Sequence, residues 1–231
     1  MAEPKKFNVD WSFISDREGG SKSEGYIPTN KDTGDVVGKS GLTIATGWDV
    51  GQMSEDEIEE SGLPASVISK VKDFAGLKGQ SALDMLEEKG APSINSAEAA
   101  AINTYTHSKT LKAISTNYKL ATGKSFKDLT KAQQTVVSSV GFQYGAEGLM
   151  TKTDKKTGEK VPTNFWKQIT EGKWNDAYKN LQNYGDDYPT RRKLEAELLS
   201  VDLFMQEAKT RDEPLWSGFK EQIAAEVNPE T

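Results

Sequence analysis

The chain contains no cysteine and a single histidine, His107. A zinc site takes three or four ligands, usually with His or Cys among them, so a resident zinc centre is not expected. A Cys–His nucleophile pair is excluded, and a Ser–His–Asp triad would have to use His107 without the G-x-S-x-G elbow that presents the serine. No run of 18 apolar residues exists, so no transmembrane span is expected. The opening MAEPKKFNVDW lacks an apolar h-region, so no secretory signal peptide is expected either. Net charge is −6 and the isoelectric point about 5.1, opposite in sign to what a nucleic-acid partner selects. GKS occurs at Gly38 and Gly123, but Thr33 and Tyr118 stand where a phosphate-binding loop needs its earlier glycine. Chemistry in this chain therefore falls to carboxylates, hydroxyls and cations, with no cofactor and no metal expected.

What remains is a mainly helical α+β pattern. SEDEIEES from Ser54 and KAQQ after Thr130 carry capping boxes, with Glu57 and Gln133 three residues beyond the caps. Asn95 with Glu98 opens what reads as the longest helix. Pro64 stands near one helix start, and Gly76 and Gly90 stand at helix ends. NFWKQITEG, KWNDAYKNLQN, RRKLEAELLSVDLFMQEAK and LWSGFKEQIAA supply further helices, and Trp166 and Trp174 are assigned to the core. Residues 23–50 differ: they are rich in Gly, Asp and Thr with short β-favouring pieces, which predicts a small antiparallel sheet. TKTDKKTGEKVPT, 151–163, reads as a charged insertion forming an exposed hairpin or loop.

Glu18 is the candidate acid. FISDREGG, residues 13–20, ends a short helix with Glu18 as the last side chain before Gly19 and Gly20. A carboxylate is disfavoured at a helix C-terminus, and most such glutamates are simply solvated. The β segment follows at once, however. In it SGLTIATGWDVGQ places Thr43 and Asp49 among glycines that permit close backbone approach. One carboxyl to protonate a leaving oxygen, and a second with a hydroxyl to hold and activate water, form a set for glycoside hydrolysis. In a continuous strand the six steps from Thr43 to Asp49 span about 20 Å. The pair therefore requires a turn, which Gly47 is placed to make. His107 reads as a packed or surface residue.

Three stretches carry a resemblance. REGG…GYIP…SGLTIATGWDVGQ resembles the active-site region of the pesticin-type muramidases, relatives of the phage-type lysozymes. QQTVVSSVGFQYG, 133–145, resembles the phage-lysozyme central helix, and KWNDAYKNLQN…YPTRRKLEAELL the C-terminal lobe. The resemblance implies one lysozyme-like domain over 1–231, with a sheet-bearing lobe at about 11–75 and a helical lobe at about 95–225. It implies Glu18 as general acid, Thr43 as holder of the nucleophilic water, Asp49 as the second catalytic carboxylate, Gln143 as a cleft-lining residue and Arg191 as partner of the glutamate. The shorter phage enzymes place their aspartate before the threonine, in Lys-Asp-Thr. Lys31-Asp32-Thr33 also fits that order, so Asp32 is the rival to the preferred Asp49, with Asp35 behind it.

The implied activity is inverting hydrolysis of the β-1,4 bond between N-acetylmuramic acid and N-acetylglucosamine in peptidoglycan. A catalytically weak wall-binding module and a chitin-type glycosidase are the alternatives. A monomer is expected. The place of action is the periplasm or cell wall, reached by holin release as a phage lysin or by secretion-system delivery as an effector. In the latter case an immunity protein is an implied partner.

Overall fold

The computed structural model describes residues 6–16, 21–30 and 32–210. It divides into two compact units. One is Trp11–Ala113; the other joins the described residues up to Asp10 to those from Ile114 on.

In the first unit, α1 (Trp11–Ser15) precedes a three-stranded antiparallel sheet of β1 (Lys22–Tyr26), β2 (Thr43–Ala45) and β3 (Trp48–Asp49), in that order. The expected sheet is therefore present. The outer side of β1 is tied to the segment before the long helix: Gly25 N–H donates to Pro92 O at 2.9 Å and Ile94 N–H to Ser23 O at 2.8 Å. Helices α2 (Glu55–Glu59), α3 (Ala65–Val71) and α4 (Gln80–Lys89) cover the sheet's apolar residues. Leu42, Ile44, Val50, Ile58, Val67, Val71 and Ile102 form one buried cluster there. Ser54 and Glu57 make their reciprocal capping box, and α4 ends at Gly90 with φ +78°.

The longest helix, α5 (Ser96–Thr122), starts in the first unit and ends in the second. Asn95 Oδ1 accepts from Glu98 N–H and Glu98 Oε2 accepts from Asn95 N–H, both at 2.9 Å, so the cap is reciprocal.

The second unit is built on α6 (Lys131–Met150), whose residues Gln133 to Gly141 are all buried. A helix covered all round sits inside its unit, and its polar groups then need partners. Gln134 Oε1 accepts from Asn8 N–H and Thr135 Oγ1 from Asp10 N–H, both at 2.9 Å. Gly145, at φ +72°, breaks the helical geometry before its last turn. The 151–163 segment is a hairpin of β4 (Thr151–Thr153) and β5 (Lys160–Pro162). Then follow α7 (Asn164–Thr170), α8 (Trp174–Gln182) and α9 (Pro189–Thr210). LWSGFKEQIAA lies outside the described residues. Trp166 is buried as expected. Trp174 is not: it is half-buried, because the first position of α8 leaves it walling a surface cavity with Lys124, Asp128 and Glu171. Among the described residues no helix is long and apolar enough to cross a membrane.

His107 packs on α1. Its ring stacks on Trp11 with centroids 3.8 Å apart and planes at 4°, and burial pushes its pKa down to about 4 from 6.5. The folded state therefore holds a neutral imidazole, while the unfolded chain takes up a proton below pH 6.5. Stability is full above that value and falls as pH drops from 6.5 towards 4. After discounting for a half-buried ring, the loss is roughly 1–2 kcal/mol. Denaturant unfolding at a series of pH values should show this slope in the wild type and its absence in His107→Phe.

Candidate active site

Two groups of candidate residues are built by different means. In the first unit a tight turn joins β2 to β3. Ala45 at φ +53° and Gly47 at φ +93° reverse the chain, and Ile44 pairs with Trp48 and Thr43 with Asp49. Directly opposed residues point to the same face, with Cβ atoms about 4.5–5.5 Å apart. The separation that a straight strand would impose is thus removed by the turn at Gly47. Thr46 Oγ1 donates to Asn103 Oδ1 at 2.7 Å, which ties the turn to α5.

Asp49 and Thr43 both meet Gly41. Asp49 Oδ1 accepts from Gly41 N–H at 3.1 Å and from Gly51 N–H at 3.0 Å, and Oδ2 accepts from Gln52 Nε2 at 3.1 Å. The carboxylate thereby caps the 3-10 turn Val50–Gln52. Thr43, buried, donates its hydroxyl to Gly41 O at 3.3 Å. The glycines are needed for space. A Cβ on Gly41 would lie 2.5 Å from Leu77 O and 2.6 Å from Gly51 Cα, and one on Gly51 would lie 2.2 Å from Leu77 O.

The rival carboxylates sit elsewhere on the chain path. Asp32 and Asp35 are exposed in a loop closed by the Thr29–Val36 bridge, where Asn30 Oδ1 accepts from Asp32 N–H at 2.8 Å. Glu18 lies outside the described residues.

In the second unit Gln143 and Arg191 meet directly. Arg191 Nη1 donates to Gln143 Oε1 at 2.6 Å, and its Nη2 to Ser139 O at 2.9 Å and Ser139 Oγ at 3.1 Å. Its Nε faces Glu195 Oε1 at 3.3 Å. Glu195 is fully buried and also binds Ser139 Oγ and Arg192 Nη1. Burial pushes the Glu195 carboxyl up, against the downward pull of Arg192, Ser139 and Arg191. Arg192 continues the network through Asp186, which also accepts from the Tyr144 hydroxyl. Its guanidinium lies 4.9 Å from the Tyr184 ring and 5.6 Å from that of Tyr144. Burial first, then Asp186, raises the Tyr144 phenol above its ordinary value. Tyr144, Tyr184, Asp186, Phe165 and Lys152 line a cavity of about 330 Å³.

Arg191 and Gln143 are expected from the sequence; Ser139, Glu195, Arg192, Asp186 and the two tyrosines are not. The available signal was helical spacing: Ser139 precedes Gln143 by four residues on α6, and Glu195 follows Arg191 by four on α9.

A small antiparallel sheet followed by a mainly helical chain defines a mainly helical α+β protein. The chain belongs to the pesticin family, described as "Bacterial toxin homologue of phage lysozyme, C-term", whose model matches residues 8–175. By family it is a lysozyme-type glycoside hydrolase. Among solved structures, the active form of the P1 phage endolysin Lyz is similar at 16% identity, over 83% of this chain and 83% of that one, with a TM-score of 0.49. The secreted inactive form of P1 phage endolysin Lyz is similar at 19% identity, over 48% of this chain and 72% of that one, with a TM-score of 0.39. No curated protein matches the chain.

The Gly51 contact gives a direct check on the loop that holds Asp49. Gly51→Ala forces the Leu77 backbone away and should lower stability by roughly 1–3 kcal/mol, as overpacking does. Thermal melting measures it; an unchanged midpoint would show that the close approach is not needed.

Proposed function

We propose that the chain is a muramidase that cuts the β-1,4 bond between N-acetylmuramic acid and N-acetylglucosamine in peptidoglycan, with inversion at the anomeric carbon. The observation that carries the reading is the direct opposition of Thr43 and Asp49 across a tight hairpin, in a chain of the pesticin family. Glu18 protonates the glycosidic oxygen as the bond breaks. Thr43 and Asp49 hold a water on the opposite face of the sugar. Asp49 takes its proton as the water oxygen attacks C1. Inverting enzymes separate their two carboxyl groups by about 6.5–9.5 Å, which leaves room for that water. Arg191 and Gln143 are assigned to the substrate side, donating to sugar or peptide oxygens.

Asp49 carries a competing demand, since its oxygens already take Gly41, Gly51 and Gln52. That favours a second reading, in which Asp49 only organises the loop and the chain binds cell wall with weak turnover. The proposed place of action is the periplasm or wall, after holin release or secretion-system delivery. An immunity protein covering the site is the partner expected of a toxin.

Removing one general acid lowers turnover by roughly 10²–10⁴-fold, so Glu18→Gln should lose that much wall-lytic activity while melting normally. Thr43→Ala and Asp49→Asn should each lose most activity, and Asp32→Asn none. If Asp49→Asn loses activity only in proportion to its loss of folded protein, Asp49 is a loop organiser and the second reading stands. Mass spectrometry of digested peptidoglycan should find new reducing ends on N-acetylmuramic acid. NMR of the first product should show the α-anomer.

A further inference from the structure

Two arginines lie in the first turns of α9, and both are buried: Arg191 is 7% exposed and Arg192 is 1%. The placement is unfavourable on two counts. The start of a helix carries partial positive charge, and a desolvated guanidinium needs a close anion. Buried ion pairs are weak evidence for stability, since an apolar replacement of similar volume often serves the fold as well. What the arrangement does supply is orientation.

The carboxylate of Glu195 is shared between the two cations. Its Oε1 faces Arg191 Nε at 3.3 Å and accepts from Ser139 Oγ, while Oε2 takes Arg192 Nη1. Arg192 is drawn the other way by Asp186, at 3.0 Å from its Nε, and by the Tyr144 and Tyr184 rings. Arg191 is then fixed along two of its edges. Nε is held by Glu195, and Nη2 is held by Ser139 O and Oγ. Nη1 is turned to Gln143, a half-exposed residue two positions beyond the fully buried stretch of α6. A guanidinium held this way presents one chosen edge without searching rotamers, which a lone surface arginine does not.

We propose that Glu195 is a positioning residue, which with Ser139 fixes Arg191 so that its Nη1 edge, beside Gln143, faces the substrate. This rests on the assignment of Arg191 and Gln143 to the substrate side. Glu195 touches no reacting atom; it acts through Arg191.

The test is a mutant cycle with an independent readout of orientation. Glu195→Gln keeps the side-chain volume and removes the charge. Ser139→Ala removes one hydroxyl and leaves every charge in place, so it guards against a Glu195 variant that fails to fold. Arg191→Gln removes the positioned group. Small misplacements of a positioned group lower turnover by up to about 100-fold, so Glu195→Gln should lower kcat on soluble peptidoglycan by about 10- to 100-fold, and Ser139→Ala by less. Both losses are to be counted per folded molecule from the melting curve. In the Arg191→Gln background, Glu195→Gln should bring no further loss, because the group it holds is gone. In ¹⁵N-edited spectra the Arg191 Nε–H resonance should be slow to exchange with solvent in the wild type and fast in Glu195→Gln. Losses that multiply across the cycle, or an Nε–H equally protected in both proteins, would overturn the proposal. Full activity of Arg191→Gln would overturn it differently, by removing Arg191 from the substrate site. The acid and water assignments of Glu18, Thr43 and Asp49 would then stand or fall on their own variants.

Discussion

The antiparallel pairing of Thr43 with Asp49 is the constraint on which the candidate chemistry depends. It turns two residues six apart in sequence into neighbours on one face. The pairing needs a reversal within three residues, and Ala45 and Gly47 make it with positive φ angles. A side chain at φ +53° is strained, and Ala45 adopts that angle while fully buried between Lys22 of β1 and the start of the turn. The Thr46–Asn103 bond and the apolar packing of Ile44 and Trp48 offset that strain. The sheet is short because its task is local: it holds one turn and the two residues at its base.

The capping of Asp49 has a consequence for how the loop is built. A carboxylate that accepts from two glycine amides brings residues 41 and 51 to within van der Waals contact. No other residue type fits either position without moving Leu77. The glycines around the threonine and aspartate are therefore part of the carboxylate's binding pocket as well as flexible links. The same bonds fix the direction in which the remaining lone pairs of Asp49 point.

Much of this was legible in the sequence, and for identifiable reasons. The capping boxes at Ser54 and Thr130 and the Asn95–Glu98 cap depend on side chains three residues apart, so local spacing was enough. The 151–163 segment reads from its charges and turn residues as an exposed hairpin or loop, and the structure makes it a hairpin. The requirement for a turn at Gly47 follows from strand length once Thr43 and Asp49 are assigned to one water. The Glu195 network was not legible, because it depends on α6 facing α9 across fifty residues of chain. Helical spacing puts Glu195 one turn from Arg191, but that spacing does not separate a buried glutamate from the solvated majority. Trp174 departs from its expected burial for a related reason: tryptophan is buried on average, whereas the first position of α8 decides its exposure.

The two units hold their polar candidates by opposite means, and the contrast bears on mechanism. In the sheet unit, backbone amides and one neutral side chain hold Asp49, and they cannot titrate. In the helical unit, Arg191 is held by a carboxylate that is itself shared with a second arginine. A group oriented by amides keeps that orienting environment as the pH changes. A group oriented by an ion network inherits the titration of every member, including a carboxyl that burial pushes upward. A positioning role for Glu195 therefore links the orientation of Arg191 to the protonation of a residue that never meets the sugar. That link is what separates a positioned arginine from an arginine that is merely buried.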